Sequence, residues 1–187
     1  TSDEASPVVA PLMTTTYYVE VSDGNIILSD DILITVLPVP QLNLGEDFAI
    51  CSGNEALLDA GAGFEFYLWS NGQTTQTITV SNPGLYWAVV MNEFDCYTTD
   101  SIFLTVNNLP AVNLGPDNAF CEGSQVMLSA GTGFTSYLWN NGETSYYINV
   151  TDPGQYWVEV TDDNGCSNTD TVMLAMLPKP LVDLGSD

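Results

Sequence analysis

A chain of 187 residues with 45% apolar residues can bury a core in one medium domain or in two to three small ones, which argues against disorder. Its 24 acids against a single base, Lys179, and no histidine give a net charge of −23, which excludes nucleic acid and disfavours an anionic membrane. No apolar run reaches the ~18 residues of a membrane helix, so no direct membrane insertion is expected, and no basic-then-apolar start marks a signal peptide.

In chain order, residues 1–40 carry TTTYYVEVSDGNIILSDDILITVLPVP, the second half of a unit that recurs complete further on, one residue shorter at its turn. The first complete unit, 41–110, opens LNLGEDFAICSGNEALLDAGAGFEFYLWSNG. The second, 111–180, answers VNLGPDNAFCEGSQVMLSAGTGFTSYLWNNG at an offset of 70 residues without a gap, so that Cys51 maps to Cys121, Trp69 to Trp139, Trp87 to Trp157 and Cys96 to Cys166. Residues 181–187, LVDLGSD, begin a further copy. The chain is therefore expected to start and stop in mid-module, as a window on a longer tandem array.

Within each unit the signals are all β. QVMLSAG, TSYLWNNG, SYYINVT, QYWVEVTD and DTVMLAML are short runs rich in β-branched and aromatic residues. Asn141-Gly142, Asp152-Pro153-Gly154 and Asp162 to Gly165 separate them with turn chemistry. Six or seven strands in ~70 residues predict an all-β fold of tandem immunoglobulin-like β-sandwich modules with a 70-residue repeat. Leu37 to Pro40, Asn108 to Pro110 and Leu177 to Pro180 should form stiff joints, because proline fixes φ.

Modules that read LG-x-D, Cys, YLW-[SN]-NG, TQTITV, Gly-x-Tyr-Trp and a turn-Cys-x-x-x-Asp resemble the immunoglobulin-like and PKD-like repeats of large Bacteroidota cell-surface proteins. Those include gliding-type adhesins exported by type IX secretion. The two complete modules match throughout, whereas the first partial one departs at Ile26, where Cys96 and Cys166 stand in the others. The resemblance also implies O-glycosylation at Ser101 and Thr171, within Asp100-Ser101-Ile102 and Asp170-Thr171-Val172, with a plain strand start as the alternative.

Four cysteines allow three pairings, and exact repetition favours Cys51–Cys96 and Cys121–Cys166, one bridge in each module. Each would close a loop of about 46 residues, worth ~4 kcal/mol in the chain-entropy model. Free buried thiols are the alternative; a zinc site would need histidine or Cys-x-x-Cys. Neither cysteine fits the usual immunoglobulin pin between sheets, since Cys121 precedes the second strand and Cys166 lies at the last hairpin turn. Disulfides imply an oxidising, extracellular setting.

No cofactor is expected, with calcium as the one candidate. Glu46, Asp47, Asp117 and Asp187 lie near module starts and Asp162, Asp163 and Asn164 crowd one loop, where hard cations would find oxygen. A solvated acidic surface is the alternative. No Gly-x-Ser-x-Gly, Cys/His pair or phosphate loop is present, and no enzyme is expected.

Strand alternation sorts the aromatic residues by face. Tyr137 and Trp139, then Tyr156, Val158 and Val160, then Val172, Leu174 and Met176 should point inward. Leu68, Trp87 and Phe103 in one module, and Leu138, Trp157 and Met173 in the next, should then form an outward apolar cluster; Tyr18 and Leu33 extend it to the partial module. Lateral contact is one use for such a cluster, and cover by a loop, glycan or adjoining module is the other. The function expected is a non-catalytic stalk or filament segment of a secreted surface adhesin. Its partners would be neighbouring modules of the same chain, further copies through self-association, or a surface glycan. The alternatives are a carbohydrate- or ligand-binding module stacking sugars on Trp87 and Trp157, and a spacer array of a secreted enzyme.

Overall fold

Short β-branched and aromatic runs broken by Gly, Asn and Asp favour strands. The computed structural model, which describes Glu4 and residues 6–180, holds strands and no helix among those residues. The expected start of a further copy at 181–187 lies outside the described residues.

Residues before the first joint form one hairpin, β1 (Thr15–Ser22) and β2 (Ile27–Ile34), paired from Thr15 opposite Ile34 to Ser22 opposite Ile27. Its turn is set by Asp23, whose Oδ1 accepts the amides of Asn25 and Ile26 at 2.8 Å. Those backbone donors, Ile26 first, hold the Asp23 carboxyl below its ordinary range. Val19, Val21, Leu28 and Ile32 on one face, and Tyr18 and Leu33 on the other, are all more than half exposed, so both faces of the hairpin reach solvent.

Each complete repeat supplies six strands. In the first they are β3 (Phe48–Cys51), β4 (Ala56–Asp59), β5 (Phe66–Trp69), β6 (Thr77–Val80), β7 (Gly84–Met91) and β8 (Tyr97–Asn107). In the second they are β9 (Asn118–Cys121), β10 (Val126–Ser129), β11 (Ser136–Trp139), β12 (Tyr147–Val150), β13 (Gly154–Thr161) and β14 (Ser167–Leu177). The order β11-β13-β14-β9 forms one sheet and β10-β12 the other, and β5-β7-β8-β3 with β4-β6 repeats the scheme. In each, the short opening strand runs parallel to the end of the last one, as Phe120 opposite Met176 and Ile50 opposite Val106 show. Three antiparallel strands with a parallel opening strand, facing a second antiparallel pair, is immunoglobulin-type topology.

The cores follow the predicted alternation. Trp69 and Trp139 are 1% exposed, and their indole N–H groups donate to the Thr75 and Ser145 carbonyls at 2.8 Å. A buried tryptophan on this strand is an immunoglobulin hallmark, and a second stands on β13: the Tyr156 hydroxyl donates to the Asp152 carbonyl four residues upstream, at 2.9 Å. Two residues on, where antibody domains carry the cysteine that pins the sheets, Val158 is fully buried. The packing of Trp139 with Leu128, Ile148, Val158, Val160 and Val172 fills the space between sheets with hydrocarbon alone.

The opening strands β3, between Asp47 and Ser52, and β9, between Asp117 and Glu122, lie outside the runs that the sequence marks as strands. Two compact units are formed. One comprises residues up to Glu46 with Leu57–Thr79 and Leu85–Phe103; the other comprises Asp47–Ala56, Val80–Gly84 and the chain from Leu104 onward. The boundary cuts across the first complete repeat rather than falling at its joints, and β3 belongs to the second unit.

Candidate functional site: joint cysteines and an outer sheet face

The expected pairing of cysteines within each module is corrected by the structure. Cys51 bonds Cys166, 115 residues away, and Cys96 and Cys121 are free thiols. Strand length explains why. Cys51 is paired with Asn107, at the far end of β8, whereas Cys96 precedes Tyr97, at its start. An 11-residue strand sets the two roughly 36 Å apart at ~3.3 Å per residue. Cys121, paired with Leu177, and Cys166, just before Ser167, are separated in the same way along β14. A disulfide tolerates no more than about 7 Å between Cα atoms, so neither module can close its own. Cys51 and Cys166 both lie in the second compact unit, 5.5 Å apart at Cα.

Each cysteine sits in a built turn. The Cys51 carbonyl accepts the Asn54 amide, and the Cys121 carbonyl accepts the Ser124 amide, both at 3.0 Å. At the other pair of turns, Asn92 Oδ1 accepts the Cys96 amide at 3.1 Å and Asp162 Oδ1 accepts the Cys166 amide at 2.9 Å. The residue before each turn cysteine is left-handed: Gly165 has φ 77°, and Asp95 takes φ 58° at the cost a side chain carries there. These turns lie beside joints. Asn92 Nδ2 donates to the Pro38 carbonyl at 2.8 Å, and Asn168 Nδ2 donates to the Pro110 carbonyl at 2.9 Å. A shallow cleft lined by Cys51, Asn54, Leu109, Gly165 and Ser167 surrounds the bridge.

On the outer face, Trp87 is 37% exposed and Trp157 is half-buried, while Phe103, Leu138 and Met173 are exposed and Leu68 is half-buried. Register fixes their neighbours. Trp157 lies directly opposite Thr171, with Leu138 opposite Glu159 and Met173 opposite Gln155. Leu138 and Met173 are thus diagonal neighbours of Trp157, within reach of a large ring. In the first module Leu85, 58% exposed, and half-buried Val89 stand where Gln155 and Glu159 stand in the second, so that face is the more apolar. Tyr18 and Leu33 are exposed on the hairpin.

Ser101 and Thr171 are exposed on this same face. The aspartates before them have a role that local sequence did not reveal: Asp100 Oδ2 accepts the Leu44 amide at 2.8 Å, and Asp170 Oδ2 accepts the Leu114 amide at 2.7 Å. Each carboxylate fastens the opening segment of its module to its last strand.

The acids named for calcium are dispersed. Asp117 Oδ1 accepts the Met173 amide, Asp162 Oδ1 serves its own turn, and Asp163 Oδ1 accepts the Thr135 hydroxyl. Glu46 and Asp47 lie between the first joint and β3. Among the described residues no three Asp, Glu, His or Cys side chains form a group able to hold a metal ion.

No protein-family profile and no curated protein matches the chain. Among solved structures, an I-band fragment of titin is 15% identical with a TM-score of 0.40, over 88% of this chain and 75% of its own. The first two immunoglobulin domains of DIP-gamma are 12% identical with a TM-score of 0.36, over 74% and 98%. The insect immune protein hemolin is 14% identical with a TM-score of 0.39, over 87% and 56%. At these values the likeness adds nothing to the topology described above.

Proposed function

We propose that the chain is a segment of an extracellular structural rod, the stalk or filament of a cell-surface adhesin, and that it catalyses nothing. One observation carries this reading: Cys51 of one repeat is bonded to Cys166 of the next, beside the Pro110 joint. A covalent tie between successive repeats limits bending and separation at a joint, which is what a tensioned rod needs. Disulfides persist outside the reducing cytosol, and the resemblance to Bacteroidota surface repeats supports the same setting. Small-angle scattering tests it. The particle should be elongated and should lengthen by a constant increment when a further copy of residues 111–180 is appended; a compact particle without that increment overturns the reading.

Trp87 and Trp157 supply the rod's lateral contact, to further copies of the chain. A half-exposed tryptophan with apolar diagonal neighbours, repeated every 70 residues, suits many weak contacts acting together. Changing both to Ser should leave the modules folded and abolish concentration-dependent association in sedimentation. Unfolding of the double variant would make them core residues instead, and loss of binding on a glycan array would favour a sugar platform.

A further inference from the structure

We propose that the Cys51–Cys166 bond is one rung of a ladder: the first cysteine of each repeat bonds the second cysteine of the following repeat. Cys121 is then the half-rung for a repeat that follows, and Cys96 the half-rung for one that precedes. This rests on the tandem-array reading.

Repeat equivalence is the first support. Cys121 stands 70 residues after Cys51, and Cys96 stands 70 before Cys166. Both unpaired cysteines occupy the same turns as their bonded counterparts, with the same hydrogen bonds to Ser124 and Asn92. Placement is the second. The Cys96 turn is held to the Pro38 joint through Asn92, as the strand after the Cys166 turn is held to the Pro110 joint through Asn168. At the other end, Lys179 of the third joint packs over the Cys121 turn, its Nζ 3.2 Å from where a Cβ on Gly123 would stand. Each of the two turns thus stands beside a joint with its half of the staple built. Exclusion is the third, since Cys96 and Cys121 are barred from the cysteines of their own modules by the length of β8 and β14. Ile26, at the second-cysteine position of the partial module, leaves the rung at that place unmade.

Closing a rung removes two protons and two electrons from two thiols. A disulfide donor accepts them by thiol–disulfide exchange and leaves as two thiols.

Two experiments decide it, each by refolding in a glutathione redox buffer, then alkylation of the remaining thiols, then peptide mapping without reduction. In the full chain carrying Cys51→Ser, Cys96, Cys121 and Cys166 should all be alkylated; a Cys121–Cys166 bond overturns the ladder. In the full chain extended in frame after Pro180 by a copy of residues 111–180, Cys51–Cys166 should persist and Cys121 should bond the appended counterpart of Cys166. A free Cys121, or a bond closed within the appended copy, overturns it. The bond map reads the ladder alone, while scattering from the same extended chain reads the rod, so the two can fail separately.

Discussion

Tyr156 shows how much one side chain settles. Its hydroxyl closes the turn before β13 on the Asp152 carbonyl, and its ring joins the core. Tyr156→Phe keeps the ring and removes the hydrogen bond, so chemical denaturation at pH 7 should show a loss of about 1 kcal/mol. Burial first, and the nearby Asp152 charge second, raise the phenol above its ordinary value. A folded value above the unfolded one means that the contribution is whole below about pH 10 and is lost as pH rises through the raised value. Stability should therefore fall more steeply above pH 10 in the parent than in Tyr156→Phe. At this scale the sequence was readable where period 2 applies: Trp139, Val158 and Val172 are buried as alternation requires, and Glu159 between its neighbours is exposed. It was unreadable where a bond spans the fold. Asp170 stands in a plausible modification tripeptide, and nothing local says that its carboxylate reaches an amide 56 residues away.

Strands of unequal length explain why the cysteines do not pair within a module. Repetition alone makes a bridge within each module look natural, because it treats Cys121 and Cys166 as points in a pattern. Burial alternates over all of β14, but its residue types do not, SNTDT being polar throughout and VMLAML apolar throughout, so the sequence hides the full length of the strand that separates the two cysteines. Nor does any local pattern reveal that β9 lies parallel to the far end of β14. The hairpin β1–β2 makes the opposite point. Its residues match β13 and β14, yet Val19, Val21 and Ile32 lie exposed where Val158, Val160 and Val172 are buried. An isolated two-stranded hairpin is marginal in water. Limited proteolysis of the full chain should therefore cut first between residues 14 and 40, and amides of β1 and β2 should exchange far faster than those of β13. Protection of the hairpin equal to that of β13 would show that it is covered in solution.

Twenty-four acids against one base make the whole molecule repel itself. The Debye length falls from about 30 Å at 0.01 M salt to about 8 Å at 0.15 M, so the melting temperature should rise across that range in sodium chloride. Calcium chloride at matched ionic strength tests the proposed calcium role of Glu46, Asp47, Asp117, Asp162 and Asp163: a further rise marks a bound ion, and coincident curves mark screening alone. The bond between Cys51 and Cys166 also changes what a cut can do. It closes the backbone between them into a covalent ring with a sequence separation of 115. A protease that severs one peptide bond inside the ring, at the Pro110 joint for instance, opens a loop and frees no fragment. Where rings overlap from repeat to repeat, as the ladder would make them between Cys121 and Cys166, two cuts far apart would still leave one continuous thread. A fibre tied in that way would survive nicking as a knitted fabric survives a snipped yarn, and a reductant would unravel it.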